Sequence, residues 1–182
     1  MDDAIRQEYQ DQIRDLRLPR YEQIPNVGLY LEQAAKYISE YLAPLGDMAL
    51  TGSMISNYVK KGLLASPVKK QYSREQICYL FFIAVAKTVM SMEDIRLMIR
   101  LQKEQYTPQK AYDYFCTELE NALHYIFALK PEMETIGQGH TVAKDLLRTT
   151  IIAVAHKVYL DKAFASIRQT MAPPALPDKP CK

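Results

Sequence analysis

Apolar residues recur along most of this chain at spacings of three and four, the mark of helices with one buried face. Ile5, Tyr9, Ile13 and Leu16 follow that rule from about Asp2 to Leu16. "LRLPRYEQIPNVG" then breaks it with Pro19 and Pro25, which predicts an extended connector, because the residue before a proline is driven out of helical conformation. A second helix is expected from Leu29 to Leu42, burying Leu31, Ala34, Ala35, Ile38 and Leu42. Thr51 is a good N-cap for a short helix through Lys61, and Gly62 stands where a left-handed terminating residue is wanted. Ser73 and Gln76 form a capping box that opens a helix to about Val89. Its interior, "ICYLFFIAVAK", is apolar on almost every side, so it belongs at the centre of the fold.

Ser91 with Asp94 starts the next helix, which carries Ile95, Met98, Ile99 and Gln102 on one side. Thr107 followed by Pro108 reads as an N-cap and a first-turn proline. The helix they open runs to about Leu129, with Tyr112, Phe115, Leu119, Leu123, Ile126 and Phe127 on one stripe. "KPEMETIGQGH" is a loop, and a last long helix spans about Val142 to Gln169. "MAPPALPDKPCK" has four prolines and is expected to be disordered.

The pattern predicts an all-α fold with room for one short β wing at "ASPVKKQY", and a C-terminal long-helix hairpin. It divides into an N-terminal helix and connector (1–27), a basic head (28–104), a C-terminal helical dimerisation or sensing region (105–170) and the tail (171–182).

Composition narrows the class. With 182 residues, 48% apolar and 24% charged, the chain can bury a core of its own. Cys78, Cys116 and Cys181 are widely spaced and form neither a CxxC pair nor a His/Cys cluster, so reduced thiols in a cytoplasm are expected, with no metal site and no cofactor. No apolar run approaches the ~20 residues that span a bilayer, and no membrane partner is expected.

The net charge of +2 says little by itself; its distribution says more. From Thr51 to Lys87 there are six cations, Lys60, Lys61, Lys69, Lys70, Arg74 and Lys87, against one acid, Glu75, a local excess of five. Such an excess suits phosphate, since releasing condensed counterions supplies most non-specific affinity for nucleic acid. On a helix opened by Thr51, the residues Met54, Ile55, Tyr58 and Val59 supply the packed side. Ser53, Ser56, Asn57, Lys60 and Lys61 are left outside. Asn pairs with adenine edges, Ser with bases or phosphate, and the lysines with backbone. Lys69 and Lys70 follow on a loop, and Tyr72 packs beneath it with its hydroxyl as a further phosphate donor.

The stretch "MISNYVKKGLLASPVKKQYSREQICYLFFIAVAKTVMSMEDIRLMI" resembles the MerR-type winged helix-turn-helix head, with Tyr58, Gly62, Leu63, Leu64, Pro67, Tyr72, Ser73, Ser91, Ile95 and Ile99 at the matching places. It is closer still to a bacterial family of uncharacterised proteins that share the "L-T-x-x-M-I-x-N-Y-x-K" helix and the "P-V-K-K-x-Y-S/T" loop, over about Leu18 to Ile99. The MerR resemblance implies a transcription regulator that binds double-stranded DNA as a homodimer through its C-terminal helices, with a small-molecule effector. Its DNA-binding set would be Thr51, Ser53, Ser56, Asn57, Tyr58, Lys60, Lys61, Lys69, Lys70, Tyr72 and Arg74. Where MerR heads carry an arginine and an aromatic before the matching tyrosine, this chain has Ser56 and Asn57, so its readout would differ.

The alternative is a helical protein-interaction or ligand-sensing module that has lost DNA readout. An enzyme is not expected. His124, His140 and His156 are isolated, and His156 in its apolar stretch reads as a core histidine. The spacing of Cys116 and His124 is a weak basis for a nucleophile pair. "GQGH" lacks the lysine and preceding strand of a phosphate loop.

Overall fold

The structure, a computed structural model, describes residues 3–137 and 139–171. The tail from residue 172 lies outside the described residues, as do residues 1 and 2 and the side chain of Ile5. Among the described residues the chain forms α1 (Asp3–Arg14), β1 (Leu29–Tyr30), α2 (Leu31–Leu42), α3 (Gly52–Lys60), β2 (Gln71–Tyr72), α4 (Arg74–Ala86), α5 (Met92–Gln105), α6 (Pro108–Ile126) and α7 (Val142–Met171). The fold is mostly all-α, as the pattern predicts. No helix among the described residues is long and apolar enough to cross a membrane.

Local chemistry sets the helix starts. The Thr51 hydroxyl accepts from the Met54 amide at 3.2 Å, Ser91 from Asp94 at 3.1 Å and Thr107 from Lys110 at 3.4 Å. Ser73 and Gln76 exchange the two bonds of a capping box, at 3.3 and 2.9 Å. Helix α4 buries nine residues, including Leu80, Phe81 and Ile83, and packs against α2, α5, α6 and α7 at the centre of the core.

The sheet has two strands, with Leu29 opposite Tyr72 and Tyr30 opposite Gln71, antiparallel. Leu29 and Tyr30, expected to be helical, instead pair with the segment that follows α3 and so draw the start of α2 toward it.

Helices α6 and α7 lie side by side in the same direction rather than as the expected hairpin. Tyr106 bonds Thr141 at 2.8 Å, Glu118 lies 3.9 Å from Arg148, and Phe127 packs edge-on to Tyr159 with ring centres 5.4 Å apart. Partners advance together along both helices, which only a parallel pair allows. The connection, residues 127–141, makes this feasible: fifteen residues reach up to ~50 Å, while the 19 residues of α6 span ~28 Å. Asn121 holds the returning loop, donating to the Glu134 carbonyl at 2.9 Å and accepting from its amide at 3.3 Å.

With 30 residues, α7 runs well past the end of α6. One side of this extension lies on α1, where Lys162 bonds Gln12 at 2.6 Å and caps the Tyr9 ring. His156, expected in the core, is exposed on the outer side of α7. An apolar stretch on a helix this long surrounds the buried stripe Ile151, Val154, Ala155 and Val158 without enclosing every residue within it.

Candidate nucleic-acid interface

Helix α3 buries Gly52, Ile55 and Tyr58, while Met54 and Val59 are half-buried at its edges. Ser53, Ser56, Asn57 and Lys60 are exposed. Their spacing of three, four and seven places them on one face, and Lys61 continues it one turn on from Asn57. The end of α3 is tightly made. Gly62 has φ of 68°, its amide donates to the Val59 carbonyl at 2.9 Å, and the Leu63 amide donates to the Tyr58 carbonyl at 2.9 Å. This is the double bond of a Schellman ending, and it needs the left-handed residue that glycine supplies. From α5, the Arg96 guanidinium donates to the Lys61 carbonyl at 2.8 Å, a cation placed at the negative end of α3. The side chains of Lys60 and Lys61 are therefore presented by a helix anchored at both ends.

Lys69 and Lys70 form a two-residue turn. The Gln71 amide donates to the Val68 carbonyl at 2.9 Å, and both lysines adopt positive φ, 51° and 64°. A hairpin turn of this kind favours Asn-Gly, and a lysine held there costs on the order of 1 kcal/mol. Two exposed lysines thus occupy the two positions where they are least comfortable. Replacing Lys69 with Asn and Lys70 with Gly is expected to raise unfolding free energy by about 1 to 2 kcal/mol. Urea unfolding checks this, and a loss of stability would show that the turn geometry is otherwise.

The remaining sequence-selected residues are placed differently. Tyr58 and Tyr72 are buried, at 3% and 4% exposure, and burial pushes both hydroxyls above their ordinary pKa; both pack rather than present a donor. Arg74 was expected to hold phosphate. Its side chain is 16% exposed and committed elsewhere: it donates to the Ile24 carbonyl at 2.9 Å, pairs with Glu22 at 2.5 Å and stacks on Tyr21. Lys87 turns inward to the Ala49 carbonyl at 3.0 Å, and burial lowers its pKa. Thr51 caps the helix and bonds Ser53 at 2.9 Å. What stays outward is Ser53, Ser56, Asn57, Lys60, Lys61, Lys69 and Lys70. None of these four lysines takes part in an ion pair among the described residues. Sequence reading missed Arg96, whose role depends on a contact 35 residues away that leaves no local signal.

Burial pushes the Cys116 thiol up to about 12, and the Cys78 thiol is also raised. Burial and the neighbouring Arg17 guanidinium lower His124 below its ordinary value. Among the described residues no group of three or more His, Cys, Asp or Glu side chains is arranged to hold a metal ion.

Fold and corner together define a mostly all-α protein that presents an unpaired cationic face on a short, doubly anchored helix. The chain belongs to the family described as a domain of unknown function, DUF1836, whose model matches residues 19–115. The match runs from the connector after α1 through the cationic corner and α5 into the first half of α6. No curated protein and no solved structure matches the chain.

Proposed function

We propose that this protein is a DNA-binding transcription regulator of MerR-like type that binds duplex DNA as a homodimer. The observation that carries the reading is the outward face of α3. Two serines, an asparagine and two lysines lie there on a helix held rigid at both termini, and a strained Lys-Lys hairpin tip follows. The order of α3, hairpin, α4 and α5 agrees with what the MerR resemblance implies. Ser53, Ser56 and Asn57 would approach base edges, and Lys60, Lys61, Lys69 and Lys70 would hold phosphates.

A partner for symmetric binding has a natural seat. Leu160, Phe164, Ile167 and Met171 are exposed at 50%, 52%, 42% and 77%, at spacings of four, three and four along the extension of α7. That spacing is the seam of a coiled coil. Two-fold symmetry then matches paired half-sites about one helical turn, ~34 Å, apart. Phe164→Glu is expected to shift the protein from dimer to monomer at micromolar concentration, read by sedimentation. An unchanged sedimentation coefficient would move the interface elsewhere.

The test of the function is selection of bound fragments from a sheared genomic library at near-physiological salt. Enrichment of one pseudo-palindromic site supports the proposal. Enrichment of nothing, or binding only at low salt, would favour the second reading, a helical interaction or ligand-sensing module. The cavity described next gives that reading its own support.

A further inference from the structure

A cavity of about 250 Å³ lies where α4 and α5 meet the beginnings of α6 and α7. Phe82, Met98, Tyr106, Phe115 and Leu147 give it apolar walls. For scale, an apolar cavity of roughly 150 Å³ holds benzene, so this one has room for two fused rings.

Three polar groups of the lining stand out. Tyr79 Oη, Gln102 Nε2 and Tyr112 Oη are buried without a hydrogen bond among the described residues. The Tyr112 hydroxyl interacts with the Cys116 thiol and the Tyr79 hydroxyl with the Glu75 carboxylate, each short of a well-formed hydrogen bond. Buried polar atoms are normally satisfied, so three weakly partnered ones gathered at one apolar cavity mark a place for a polar partner. All three can donate a hydrogen bond. The charged side chains of the lining are Lys110 and Lys144, the latter over the Tyr114 ring, and no carboxylate lines the cavity. Groups able to donate at three positions, with no carboxylate in the lining, suit an acceptor carrying negative charge.

We propose that this cavity binds a small aromatic monocarboxylate, its rings between Phe82, Phe115 and Leu147 and its carboxylate toward Gln102 and the two tyrosine hydroxyls. The site joins α4 and α5, which support the cationic corner, to α6 and α7, which carry the apolar seam. Occupancy would bias how these two parts meet across the Tyr106–Pro108 junction. That regulatory use rests on the DNA-binding proposal; ligand binding does not.

Calorimetry of the full chain without DNA tests it, using 2-naphthoate and its uncharged counterpart 2-methylnaphthalene as probes. Saturable binding of 2-naphthoate is expected at micromolar to sub-millimolar concentration. Gln102→Leu removes an unsatisfied donor, so the variant should fold at least as well as the parent. It should bind 2-naphthoate at least tenfold more weakly and 2-methylnaphthalene unchanged. Ala111→Phe, which fills the cavity, should abolish both. Absence of saturable binding of either probe up to millimolar concentration overturns the proposal, as does unchanged binding in Ala111→Phe. Binding of 2-methylnaphthalene alone overturns the anionic ligand class.

Discussion

Reversing Lys60 and Lys61 to glutamate is expected to lower affinity for a selected duplex on the order of 1000-fold at 0.15 M salt. Each phosphate contact contributes about 0.9 to the slope of log affinity against log salt. Extrapolated from 1 M salt to 0.15 M, two contacts are therefore worth roughly 30-fold. Glutamates repel the same phosphates, which adds a comparable factor. The salt slope should also shrink by about 2. Folding should change little, because both side chains are exposed; the carbonyl of Lys61, which Arg96 uses, is retained. Two acids at the negative end of α3 cost up to about 1 kcal/mol, so a Lys60→Gln/Lys61→Gln control separates charge from repulsion. It should lose the 30-fold and keep its melting temperature. Affinity and slope unchanged in both variants would reduce these lysines to a solvated corner and sink the DNA-binding reading.

The opposite signs expected at Lys69 and Lys70 sharpen that test. Asn-Gly there should give a more stable protein that binds DNA less well. A merely structural turn would gain stability and lose nothing. Few surface positions separate fold from function so cleanly, because here the charge sits on backbone that its own side chain disfavours.

How much of this was legible depends on distance along the chain. Thr51, Ser73, Ser91 and Thr107 were readable as caps because capping is settled within three or four residues, and each caps its helix. The exposed face of α3 was readable because helical periodicity sorts Ile55 and Tyr58 inward and Ser56, Asn57 and Lys60 outward. The left-handed turn was not, since Lys-Lys carries none of the Gly or Asn chemistry that announces one. Arg74 looked free because its partner Glu22 lies 52 residues upstream. The parallel course of α6 and α7 was hidden too: the loop between them is long enough to return or to turn back, and only packing decides. The cavity was out of reach for the same reason, as its walls come from four helices.

The most damaging single change to the fold is expected at Glu120, a residue with no sequence signal. Its carboxylate, on α6, is 8% exposed. It accepts from the Leu18 amide at 2.9 Å and from both terminal nitrogens of Arg20 at 2.8 Å each. Arg20 also donates to the Leu18 carbonyl at 3.1 Å, and the Tyr21 amide donates to Asp113 at 2.8 Å. The proline-broken connector after α1 is thus strapped along α6 by polar bonds as well as by the apolar packing of Leu16, Leu18 and Ile24. The bond to Glu120 raises the Arg20 pKa further, so the guanidinium stays charged at every accessible pH. Glu120→Ala orphans the Leu18 amide and leaves Arg20 without its counter-charge. Breaking a buried pair costs roughly 3 to 5 kcal/mol; with Arg20 about a third exposed, water recovers part of this, and about 3 kcal/mol is expected. Glu120→Gln keeps an acceptor for Leu18 and should cost about half as much. In urea, Glu120→Ala should lower the midpoint without changing the slope. Amide exchange should rise first in residues 15–24, which the strap holds against α6. A loss under 0.5 kcal/mol, or exchange rising evenly over the whole chain, would mean that apolar packing of Ile13, Leu16, Leu18 and Ile24 holds the connector unaided.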